Sequence, residues 1–273
     1  MNASPIGVFD SGLGGLTAVK ELRKILPGED IVYFGDTGRV PYGSRGKETI
    51  VHYAKQDIAF LLSKGVKSIL IACGTVSSTL PPAVMQGLPV PCAGVVGATV
   101  AAAAAATQNG KVGVIGTEAT IRSGSYEAAM KQLAPNVTCF AAACPLFVPL
   151  VENGHFLKGD RVAIPVAEEY LAPIKAAGVD TLIMGCTHYP LLADVIAEEM
   201  GSGVTLVDAG LQAAQQTKQS LANLGLLNGR QTGGQVAYYV SDVPARFNQL
   251  AQTFLGEYAG GAIEQINIED YNL

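Results

Sequence analysis

Short apolar runs alternate along the chain with longer stretches in which apolar residues recur every three or four positions. Ile6–Phe9, Ile31–Phe34, Ser68–Ala72, Lys111–Gly116, Val137–Phe140, Asp180–Met184, Val204–Val207 and Val236–Val240 have the length of buried strands. Val19, Leu22, Ile25 and Leu26 mark one face of a first helix. Further helices are predicted over Lys47–Ser63, Gly97–Thr107 and Ala167–Ala177, from Pro190 onward, and from Asp208 to about Leu224. Asp160 is expected to cap the third of these, and the hydroxyls of Thr75, Ser77 and Ser78 to cap a short helix after Ala72. Ser241 with Val243, Phe247, Leu250 and Phe254 reads as a capped amphipathic helix, and Ile263–Ile268 as an edge strand. Strand and helix alternating in this way predict an α/β fold of mostly parallel sheets covered by helices.

Two of the apolar runs end alike. Ile69–Ala72 runs into Cys73–Gly74–Thr75, and Leu182–Met184 leads through Gly185 into Cys186–Thr187–His188. The two are about one domain length apart, which suggests two similar units facing across a cleft, a common place for a small-ligand site. Either cysteine alone reads equally as an ordinary buried residue. Their placement at strand ends, beside hydroxyls and an imidazole, favours one site with a thiol from each unit.

Composition narrows the chemistry. A formal net charge of −5 argues against binding a nucleic-acid backbone, which needs concentrated positive charge. The five cysteines form no CxxC pair, and with three histidines they give neither a disulfide scaffold nor a zinc cage, so no metal is expected. Asp10–Ser11–Gly12–Leu13–Gly14–Gly15–Leu16 is either an anion-cradling turn or a simple tight turn, and it is not a dinucleotide fingerprint, so no cofactor is expected either. Val95–Ala106 is too short to span a bilayer, and no secretory signal is read at the start, so a reducing cytosol and no membrane association are expected. Arg39 and Arg45 read as solvated, and Glu152–Asn153–Gly154–His155 as an exposed polar turn.

Two thiols on opposite sides of a planarising carbon suit a two-base reaction, in which one removes a proton and the other supplies one. A helix N-terminus or an imidazolium would favour the thiolate. Asp10 and Asp36 are candidate helpers for Cys73, and His188 with Glu152 for Cys186; each aspartate reads equally as a turn or cap residue.

The glycine-rich Asp10–Leu16, Asp36 with Pro41–Tyr42–Gly43, Ala72–Thr75, Gly116–Thr120 and Gly185–Pro190 together resemble the glutamate racemases of the aspartate/glutamate racemase superfamily, in the family's order and over nearly the whole chain. The resemblance implies cofactor-independent interconversion of L- and D-glutamate for bacterial peptidoglycan synthesis, by a cytoplasmic homodimer. It implies a first domain of residues 1–97 plus 208–273 and a second of 98–207. It marks Cys73 and Cys186 as catalytic acid/bases assisted by Asp10 and His188. Ser11, Tyr42, Gly43, Gly74, Thr75, Thr117 and Thr187 join Asp10 and His188 as substrate contacts. One position departs: the family usually carries Asn after the first catalytic Cys, where this chain has Gly74. Glycine cannot supply that amide's hydrogen bonds, so weaker glutamate binding, a shifted substrate preference, or a racemase-like binding protein with little turnover are the alternatives.

Overall fold

The computed structural model describes residues 2–243, 247–258 and 261–273. The chain begins β1 (Ile6–Asp10), α1 (Leu16–Ile25), β2 (Ile31–Gly35), α2 (Lys47–Ser63), β3 (Ser68–Ile71), α3 (Gly74–Thr79), α4 (Pro82–Gln86) and β4 (Cys92–Gly94). It continues with α5 (Val95–Ala106), β5 (Lys111–Gly116), α6 (Glu118–Ser123), α7 (Ser125–Leu133), β6 (Thr138–Ala143), α8 (Phe147–Glu152), α9 (Ala163–Ala176) and β7 (Thr181–Met184). After a 3₁₀ turn at Tyr189–Leu192 come α10 (Ala193–Met200), β8 (Thr205–Asp208), α11 (Ala209–Asn223), β9 (Val236–Val240), α12 (Phe247–Leu255) and β10 (Ile263–Gln265).

Two parallel sheets result. One has the order β10-β9-β2-β1-β3-β4 and the other β6-β5-β7-β8. Strands β1, β2, β3 and β7 are buried along their whole length, as strands covered by helices on both faces must be. That is why they read as unbroken apolar runs rather than as alternating ones. The chain leaves the first sheet after β4, builds the second, and returns through α11 to add β9 and β10 at the first sheet's edge.

Strand order also fixes where chemistry can sit. From β1 the chain moves to β2 on one side and later to β3 on the other, so the loops after β1 and β3 diverge and leave a crevice. The second sheet has the same reversal between β5 and β7. Asp10, Ser11 and Cys73 sit at the first crevice, and Thr117 and Cys186 at the second.

Several local expectations change. The hydroxyls after Cys73 do not cap α3, because its N-cap is Cys73 itself. Thr75 instead reaches Thr117, and Ser77 accepts from the Val96 N–H. The Ser241 hydroxyl accepts from Gly38 N–H. The helix expected after it is α12, and residues 244–246 between them lie outside the described residues, as does the side chain of Phe247. Asp160 behaves as predicted, its carboxylate accepting from the Val162 and Ala163 N–H groups at the start of α9. Asp208 likewise accepts from Gly210 and Leu211 to start α11.

Candidate active site

Each thiol is placed by a rigid strand and held by the turn that follows. Cys73 follows β3 and is buried; its thiol donates to the Ser11 hydroxyl at 3.4 Å. Cys186 follows β7 beyond Gly185, also buried, with its sulfur 4.0 Å from His188 Nδ1. Both thiols line one cavity of about 280 Å³ between the sheets. Ser11, Tyr42, Gly43, Gly74 and Thr75 line it from the first sheet's loops. Thr117, Glu152, Thr187 and His188 line it from the second.

Hydrogen bonds stitch the two sides together at the floor. Thr75 and Thr117 share a hydroxyl–hydroxyl bond of 2.9 Å, and the Ala119 N–H donates to the Gly43 carbonyl at 3.0 Å. Thr17 of α1 donates to the Thr187 carbonyl at 3.1 Å, a cross-link that no sequence motif announced. Glycines permit this closeness. A β-carbon at Gly43 would lie 2.8 Å from the Thr117 Cβ, and one at Gly74 would overlap the Gly185 carbonyl oxygen. So the glycine after Cys73 does more than lack an amide; it lets the two strand ends meet.

The two thiols have opposite neighbours. Burial pushes the Cys73 thiol up to about 12, and the negative charge of Asp10 adds to the effect, against the Ser11 hydrogen bond. The expected help from a helix N-terminus does not prevail here, since α3 is a single six-residue stretch and burial outweighs it. Asp10 is itself raised by burial, although His188 and the Gly15, Gly12 and Ser11 N–H groups favour its charge. Thr187 donates to it at 3.5 Å and Gly12 N–H at 3.0 Å.

Beside Cys186 stands the His188 imidazole. Burial works against the His188 imidazolium, but Cys186 and Glu152 outweigh it and raise the ring to about 10. His188 Nε2 lies 3.0 Å from Glu152 Oε1, so one ring nitrogen faces a carboxylate and the other the sulfur. Glu152 is the last residue of α8, and the exposed turn read there follows it at Asn153–Gly154. That helix, with Pro149 in its middle, also brings Val148 and Pro149 to the cavity wall; an internal proline masked it.

Asp36 stands apart from the thiols and outside the cavity lining. Its carboxylate accepts from the Tyr42 hydroxyl and from Arg39 Nε at 2.7 Å. Arg39 is not solvated as expected: it also pairs with Asp57 at 3.4 Å and Glu269 at 3.1 Å and stacks on Tyr53. The buried carboxylates of Asp36 and Asp57 draw it inward. The network fixes Tyr42, which lines the cavity while its hydroxyl faces Asp36 and Asp57. Arg45 is exposed, as read.

Residues 16–217 match the Asp/Glu/Hydantoin racemase family model. The chain is similar to glutamate racemase of Geobacter metallireducens, 46% identical over 264 residues and 97% of each chain. It is similar in structure to Francisella tularensis glutamate racemase in complex with D-glutamate (TM-score 0.91, 37% identity, 99% of this chain and 100% of that one). Thermus thermophilus glutamate racemase in complex with β-chloro-D-alanine gives a TM-score of 0.87 at 42% identity, covering 98% of each chain. With this likeness over almost its full length, the chain belongs to the glutamate racemase family.

Proposed function

We propose that the chain interconverts L- and D-glutamate with Cys73 and Cys186 as its two acid/base groups. The observation that carries the mechanism is that both thiols end strands of opposing sheets and line one cavity. A substrate held between them presents one face of its Cα to each. From L-glutamate, Cys186 takes the Cα proton, the carbon flattens as a carbanion, and the Cys73 thiol protonates the opposite face. The reverse direction exchanges the roles. His188, held by Glu152, assists Cys186, and Asp10 is the titratable group beside Cys73. Ser11, Tyr42, Gly43, Gly74, Thr75, Thr117 and Thr187 are the proposed substrate-facing residues, and Asp36 acts on Tyr42 rather than on a thiol.

The division into residues 1–97 plus 208–273 and 98–207 is proposed with it, supported by the membership of the two sheets. Supply of the D-isomer for peptidoglycan, a homodimeric state and a cytosolic location are proposed with it, on the family resemblance. No described helix is long and apolar enough to cross a membrane. Circular dichroism of purified protein with L- or D-glutamate, and with either enantiomer of aspartate, tests the reading with no cofactor added. Decay of the glutamate signal to zero from both sides is expected; decay with aspartate alone would reassign the substrate.

A further inference from the structure

A second cavity, of about 190 Å³, lies just beyond the Ala119–Gly43 bond at the rim of the thiol cleft. Its charged wall residues are all cations: Arg45, Lys47 and Arg122. None of the three has an ion-pair partner among the described residues, and the nearest acids in sequence, Glu48 and Glu118, are not in the wall. In a chain of net charge −5, three exposed cations with no ion-pair partner among the described residues concentrate positive potential around one cavity.

Two further features point the same way. Helix α2, 17 residues long, starts at Lys47 in this wall, and Gly46 before it offers no side-chain cap. Its first N–H groups therefore add partial positive charge to the cavity. Ser78, also in the wall, has a buried hydroxyl with no hydrogen-bond partner among the described residues. The wall is assembled from both sides of the molecule: Arg45, Lys47 and Ser78 come from loops and helices of the first sheet, Arg122 and Ser123 from α6 after the second sheet's β5. Arg122 Nη2 already reaches across to the Arg45 carbonyl, at 3.5 Å.

We propose that this cavity binds a phosphate-type dianion, held by Arg45, Lys47 and Arg122, that bridges the two sides of the molecule at the rim of the cleft. Two guanidinium groups and an ammonium suit a tetrahedral oxyanion better than a single carboxylate, since several donors converge from different directions. The proposal does not depend on which amino acid the thiols act upon.

Titration calorimetry of the whole protein with inorganic phosphate tests it, in saturating D-glutamate so that the thiol cleft is occupied, with chloride balancing ionic strength. One saturable site per chain is expected, weakened at least tenfold in R122Q and in K47Q, with glutamate racemisation of both variants unchanged in the absence of phosphate. A parallel titration with glycerol phosphate distinguishes sources: affinity equal to or above that of inorganic phosphate assigns the site to a phosphate ester, and weaker binding to the free ion. Absence of a saturable site, or an affinity unaltered in both variants, overturns the proposal. Because turnover is read separately, failure of phosphate binding leaves the racemase reading intact, and the converse holds.

Discussion

Cys73 and Cys186 end equivalent strands, yet one lies beside a carboxyl group and the other beside an imidazole. Burial, with Asp10 adding to it, pushes the Cys73 thiol up to about 12, whereas His188, raised to about 10, sits 4.0 Å from the Cys186 sulfur. A nearby imidazolium stabilises negative charge on sulfur and a nearby carboxylate opposes it. On the proposed assignment, Cys186 takes the Cα proton of L-glutamate and Cys73 supplies one to the opposite face.

The comparison breaks first if either thiol is dispensable. C73S and C186S should each lose racemisation by about 10³-fold or more, because serine's far higher pKa removes an efficient base; unchanged thermal melting would show that the fold persists. H188N should lower turnover by about 10²-fold and slow proton removal from the L-isomer more than from the D-isomer. A Cα-deuterium isotope effect that grew only with L-glutamate would register this.

G74N tests the close approach of the two strand ends. A side chain there must displace the Gly185 carbonyl, and overpacking of this kind costs about 1–3 kcal/mol. We expect a lower kcat/KM for glutamate, by about tenfold to a hundredfold, and no recovery of affinity from the added amide. A lowered KM in G74N would show that the strand ends separate freely.

The smallest effect concerns pH. His188 is raised from the ordinary 6.5 to about 10, so its contribution to stability is complete below pH 6.5 and is lost as pH rises through about 10. Racemisation should fall over the same alkaline range as the imidazolium is lost. E152Q removes one of the two groups holding that charge, so its alkaline limb should move to lower pH. An unmoved limb would detach Glu152 from the titration.

Much of this site was legible in the sequence because its strands are buried on both faces. Ile69–Ala72 and Leu182–Met184 are unbroken apolar runs, so the polar residue that stops each one announces a strand end and a place for chemistry. Lys47–Ser63 was read with the bounds observed. The unreadable parts depend on distant residues. Arg39 looks like a loop arginine until Asp57 and Glu269 arrive from a helix and the C-terminal turn. Nothing near Ser241 in sequence shows that Gly38, 203 positions earlier, donates to its hydroxyl. The return of β9 and β10 to the first sheet leaves no local mark, and only the family resemblance implied it. Gly74 read as a missing amide, because nothing nearby in sequence shows that Gly185 packs against it.

The kcat/KM values of racemisation cannot expose the asymmetry between the thiols, since enantiomers are equal in energy and the two values must be the same. A half-reaction can. Elimination from the L- and D-forms of a β-substituted glutamate analogue needs only the base on one face, and no proton on the other. With Cys186 serving the L-form and Cys73 the D-form, C73S should retain elimination from the L-analogue and lose it from the D-analogue, and C186S should do the reverse. Elimination from both forms by either single variant, or the opposite pattern, would contradict the assignment of one thiol to each face.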